Sequence, residues 1–211
     1  MIPKFDRVFF LEHWLQLITT LTGIFVILIP LLGFRRADAN ARGQVSGAVA
    51  DLLRWPVMLV QTILFVAVGV LLWRPLPIFL SPILLIIVLA IGSLLYFPGI
   101  ALYLWGYRAL GRMFGISSGF GATLYQDHKL IQNGPYRYVR HPMYLAVILA
   151  TFGALLIFHT WAMVLFSVSS LGVILRAKRE ESLLADEFGE EWKIYKQHVP
   201  GWLPILRKRV K

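Results

Sequence analysis

Cysteine is absent from this chain, and charge is scarce, acidic charge most of all. The missing thiols exclude disulfides, thiolate metal sites and a cysteine nucleophile. Charged residues make up 15% of the sequence and hydrophobic residues 58%, whereas a soluble domain is about one-quarter charged; the composition is that of a membrane protein. Only 11 acids face 21 lysines and arginines, and the resulting net charge of +10 raises nucleic acid as a partner until the charges are located. Neither GxGxxG nor GK[ST] occurs, so the glycine-rich GISSGFG at 115–121 is no phosphate loop and reads as a hinge or lid.

What is present is a series of long uncharged runs. Residues 14–34 carry no charge over a length that suits one helical span. Ala37-Asp38-Ala39 loosely resembles a signal-peptidase site, but the run before it is longer than a signal core and ends in Arg35-Arg36, so it reads as an anchor helix. A second span is expected over 55–73, with a tryptophan at each end, and a third over 78–104, kinked at Pro98-Gly99. Residues 142–175 lack any carboxylate, lysine or arginine. One straight helix of that length would extend about 50 Å, well past a hydrocarbon core of about 30 Å, so two short spans turning near His159 are expected.

The basic residues test this count. With five spans and the N-terminus outside, loops 35–54 and 108–141 and the C-terminus put 18 lysines and arginines on the cytoplasmic side, against 3 outside. Reading 142–175 as a single span gives 9 inside against 12 outside, and the positive-inside rule therefore selects five. Topology thus accounts for the positive charge, with no nucleic acid. The expected fold is all-α: a polytopic integral membrane protein of about five transmembrane helices, with a C-terminal helical hairpin and cytosolic amphipathic helices. It forms one domain over 1–211, in which 1–107 hold three spans and 108–211 the polar loop, hairpin and cytosolic helices. Gly153 and Gly172 are candidate close-packing positions between spans.

Residues 134–144, GPYRYVRHPMY, crowd prolines, tyrosines, arginines and a histidine just before an apolar run. Pro135 and Pro142 turn Gly134 and His141 away from the α conformation, giving a shaped loop at the membrane surface. The same residue types serve a juxtamembrane anchor or a binding site, and composition does not choose between them. The C-terminal segment is the strongly charged part. Residues 176–188 continue the fifth helix outward with Arg176 and Glu180 on one face, and Gly189 stops it. Glu190 and Glu191 open a further helix ending in Lys196 and His198, as the helix dipole favours. Trp192, Tyr195 and Trp202 form a face expected to lie on the membrane, and 207–211 a basic tail on headgroups. The hairpin brings 134–144 and 176–192 to the same cytosolic boundary.

Over residues 128–204 the chain resembles the isoprenylcysteine carboxyl methyltransferases and the related membrane phospholipid methyltransferases. The motifs that carry the resemblance are HKLIQNGPYRYVRHPMY, a hairpin, Glu180-Glu181, and FGEEWKIYKQHVPGWLP at 188–204. The resemblance implies S-adenosylmethionine as methyl donor, bound at the cytosolic face, and a lipid-soluble or lipidated acceptor entering from the bilayer. It places His141, Pro142 and Tyr144 on the cofactor, Leu130, Ile131 and Tyr136 at its adenosine end, and Glu180 and Glu181 on its hydroxyls or amine. Arg140 and Arg176 would orient an acceptor carboxylate, and headgroup anchoring competes for the same two arginines. Leu145-Ala146 and His198 depart from the carboxyl methyltransferase pattern and leave the acceptor, carboxylate or amine, open. An NADPH-dependent sterol or isoprenoid reductase shares the architecture but carries asparagine where Pro142 stands. A non-enzymatic scaffold or transporter is the remaining alternative; the assigned spans hold no lysine, arginine or carboxylate for ion coupling.

Overall fold

The long apolar runs in the described part of the chain fold mostly as helix, which satisfies its own backbone inside lipid, while the apolar stretch 75–80 stays non-helical. The computed structural model describes residues 4–34, 55–111 and 129–204. Its helices are α1 (Lys4–Phe34), α2 (Trp55–Leu71), α3 (Pro82–Leu110), α4 (Pro142–Phe158), α5 (Trp161–Ser170) and α6 (Val173–His198), with a 3-10 turn at Gly134–Arg137 before α4. Among the described residues the extended pairing is an isolated bridge between Pro75 and Thr160. Residues 35–54, 112–128, which include the 115–121 stretch expected to act as a hinge or lid, and 205–211 lie outside the described residues.

Three stretches are long and apolar enough to cross a membrane: Val8–Leu28, Pro82–Leu110 and Trp161–His198. The last is uncharged to Leu175 and densely charged from Arg176 onward. Two further uncharged helices, α2 and α4, have 17 residues each.

Helix boundaries differ from expectation in instructive ways. α1 begins at Lys4 rather than near Trp14, because a few charges move a membrane boundary without ending a helix. α3 starts at Pro82, not at 78: Ser81 accepts from the Leu84 N–H at 3.4 Å and Pro82 occupies the first turn, a capping signature. It runs through Pro98 to Leu110. The turn expected near His159 is present, with His159 in the left-handed region (φ 50°) and the Thr160 hydroxyl capping α5. α5 ends at Ser170, but Leu171 and Gly172 keep right-handed helical dihedrals and the Gly172 N–H meets the Ser169 carbonyl at 3.0 Å. The chain therefore runs on into the charged segment through a tightened turn, beside which the Ser170 hydroxyl bonds the Ser167 carbonyl at 2.6 Å and that of Ser167 the Thr151 carbonyl at 3.0 Å. A new helix, α6, begins at Val173 and breaks at Gly189 (φ 50°, ψ −111°), as the glycine predicts.

The core is the α3–α4 pair. A methyl group on Gly153 would stand 2.5 Å from the Tyr96 nitrogen and 2.7 Å from the Gly92 oxygen, so these backbones touch only because the side chain is absent. Gly172 makes no such approach; its nearest neighbour is Ser169 in its own turn. α1 is tied on by the Tyr96 hydroxyl, which donates to the Thr19 carbonyl at 2.7 Å, and by Gln16, which donates to the Ile157 carbonyl at 3.1 Å. At the same end Leu76 N–H meets the His159 carbonyl and Trp161 N–H the Arg74 carbonyl, pinning the loop after α2 to the hairpin turn. This packing fixes the opposite end, where the chain enters α4 and leaves α5.

Candidate active site

Pro142, fully buried, starts α4, and the residues before it form the site. Gly134 opens the 3-10 turn at φ 58°, where a methyl group would come within 2.9 Å of Ala109, so both conformation and space demand glycine. The chain then delivers Arg140, His141 and Tyr144 toward α6. Glu181 of α6 receives His141 Nε2 at 2.9 Å, Arg140 Nη2 at 2.9 Å and Arg140 Nε at 3.1 Å on one oxygen, and Lys196 Nζ at 3.0 Å on the other. Its neighbour Glu180 accepts from the Tyr144 hydroxyl at 2.7 Å.

Burial by itself would raise the Glu181 carboxyl; the hydrogen bonds from His141 and Lys196 and the Arg140 guanidinium outweigh it and bring it down to about 2. The Tyr136 phenol moves the other way, raised first by burial and then by Glu180 and the neighbouring phenols of Tyr144, Tyr195 and Tyr103. His141 is buried between two rings, stacked on Tyr144 at 5.7 Å and tilted against Trp202 at 5.5 Å. The Arg176 guanidinium lies 5.8 Å from the centre of the Tyr144 ring.

The structure therefore gathers Tyr136, Arg140, His141, Tyr144, Arg176, Glu180 and Glu181 at one boundary of the bundle. Leu130 packs against Trp192, Tyr195 and Val199 to one side, and Ile131 beside it is half-buried. One expectation about this region is corrected: Trp192 and Tyr195 are 2% and 5% exposed and face inward, and Trp202 covers His141, so these aromatics build the wall of the site rather than a membrane-facing surface. Their amphipathic spacing is the same for either partner, so sequence alone does not distinguish them. Lys196 and Tyr103 were not anticipated. Lys196 lies across the Gly189 break from Glu181, and a break of unknown angle hides the pairing.

A family described as phospholipid methyltransferases matches residues 87–191, from within α3 to just past Gly189. That interval contains the whole 134–144 loop, the hairpin and both glutamates. Over those residues, just under half of the chain, it is similar to that family. The protein-S-isoprenylcysteine O-methyltransferase of Schizosaccharomyces pombe (strain 972 / ATCC 24843) is 29% identical over 83 residues, 38% of this chain and 35% of that protein. The chain thus spans about a third of the length of the curated relative it matches. The match and the three helices long and apolar enough to cross a membrane together support an integral membrane protein. The family match ends before Trp192, so the last part of the site wall lies beyond it.

Proposed function

We propose that this protein is an S-adenosylmethionine-dependent methyltransferase that acts on a membrane-embedded lipid or prenylated acceptor, through a carboxylate or an amine. The observation that carries the reading is the convergence of the 140–144 loop and Glu180-Glu181 on one ion-paired, aromatic-walled cluster, within the segment that matches the family. The residues suit such a cofactor. Glu180 and the phenols offer acceptors for an amine and ribose hydroxyls, beside an aromatic wall of His141, Tyr144 and Trp202. When bound, S-adenosylmethionine supplies an electrophilic methyl group. Glu180 and Glu181 anchor, Leu130, Ile131 and Tyr136 line the adenosine end, and His141, Pro142 and Tyr144 hold the side facing the bilayer. Methyl transfer asks for alignment and exclusion of water rather than a strong acid or base, and a buried His141 under Trp202 meets that need. Arg176, beside the Tyr144 ring, is placed to orient an acceptor carboxylate.

The site lies on the cytosolic side of five spans with the N-terminus outside, the arrangement that puts 18 of the 21 lysines and arginines inside. Membranes containing the protein should move labelled methyl from S-adenosylmethionine into chloroform-soluble material, and Glu180→Gln should reduce this at least tenfold. Equal incorporation by the variant, or none by the parent with any membrane lipid extract, would contradict the reading.

A further inference from the structure

The segment after α6 is held down in an unusual way. Lys196 lies four residues before Pro200, so its carbonyl, which a continuing helix would pair with the N–H at 200, meets a residue that has none. Arg140 fills the gap. Its Nη1 donates to the Lys196 carbonyl at 3.0 Å and to the Val199 carbonyl at 2.8 Å, while Nε and Nη2 grip Glu181. The backbone joins in: the Arg140 N–H reaches the Pro200 carbonyl at 2.9 Å and the His141 N–H the Gly201 carbonyl at 3.1 Å. Pro142 ends this pairing because it lacks an N–H, and Trp202 comes to rest on the His141 ring.

We propose that Arg140 is a positioning residue, a latch that locks residues 196–202 over the His141–Glu181 pair, rather than a ligand of the acceptor. The guanidinium has five N–H groups, and this network engages four of them, so little remains for a bidentate contact with a substrate carboxylate. The fork shape is essential: one face meets a carboxylate while the other caps the carbonyls of a helix end, whose partial negative charge it complements. A lysine ammonium keeps the charge but not the reach in two directions. This inference rests on the reading of the cluster as the donor site, since what the strap covers is that cluster.

Because the chain has no cysteine, a single Val199→Cys substitution reports the strap directly: Val199 is 9% exposed and packs against Trp192 and Tyr195. In this background Arg140→Lys and Arg140→Gln should each speed labelling by a maleimide at least tenfold and weaken S-adenosylmethionine binding at least tenfold, with no rescue by lysine. Parent-like labelling and affinity in Arg140→Lys would overturn the latch and make Arg140 a simple electrostatic anchor. A cysteine placed instead at Ala154, in the α3–α4 core, should stay protected in every variant. A second measurement needs no Arg140 variant: saturating donor should slow labelling of the Val199→Cys chain, and unchanged labelling despite binding would overturn the strap as a cover. If the Arg140 variants loosen the strap but the parent binds no donor, the latch stands and the donor reading fails.

Discussion

Replacing Glu181 with glutamine keeps its shape and removes its charge, at the point where His141, Arg140 and Lys196 converge. The carboxyl is brought from its ordinary 4.5 to about 2; at about 1.4 kcal/mol per pH unit, the network favours the ionised form by roughly 3 kcal/mol. The side chain is 19% exposed, so solvent screening takes only a modest share. Because the folded pKa is depressed, this contribution is fully present above pH 4.5 and lost as pH falls toward 2. Tryptophan fluorescence follows the docking, since Trp192 and Trp202 both sit in the affected wall. At pH 7 Glu181→Gln should show the partly exposed emission of a loosened strap. On acidification the parent should converge on the variant between pH 4.5 and 2, while the variant changes little from this source. Identical emission at pH 7, or a parent–variant difference that does not shrink as pH falls from 4.5 toward 2, would refute the argument.

Three other outcomes follow from the same geometry. Gly153→Ala forces a methyl group against backbone atoms of α3 and should cost about 3 kcal/mol, the upper end of the overpacking range, in a detergent unfolding titration, whereas Gly172→Ala should be tolerated. Tyr144→Phe removes the hydroxyl bond to Glu180 and should cost about 2 kcal/mol, the scale of a hydrogen bond to a charged group, in the same unfolding titration. Ser81→Ala removes the cap of α3 and should cost about 1 kcal/mol in the same unfolding titration.

The helical fold was legible because uncharged runs of this length have few solutions in a bilayer, and the turn at His159 because one helix of 34 residues overshoots the membrane. The pairing of 140–144 with Glu180 and Glu181 was legible because a hairpin returns the chain to the boundary it left. The expected continuation of the fifth helix into the charged segment holds apart from a tightened turn at Leu171-Gly172, which the unbroken apolar run does not disclose. The inward turn of Trp192 and Tyr195 was hidden because an amphipathic face names no partner. The latch left one trace, Pro200 four residues after Lys196, but nothing in the sequence says that Arg140 supplies the missing donor.

The central claim is that the cluster around His141 and Glu180 binds the methyl donor. Calorimetric titration of detergent-purified protein with S-adenosylmethionine and with its demethylated product tests it most directly, alongside Glu180→Gln and His141→Ala. The account predicts saturable binding of both ligands to the parent and at least tenfold weaker binding to each variant. Parent protein that binds neither ligand, or variants that bind as the parent does, would contradict it.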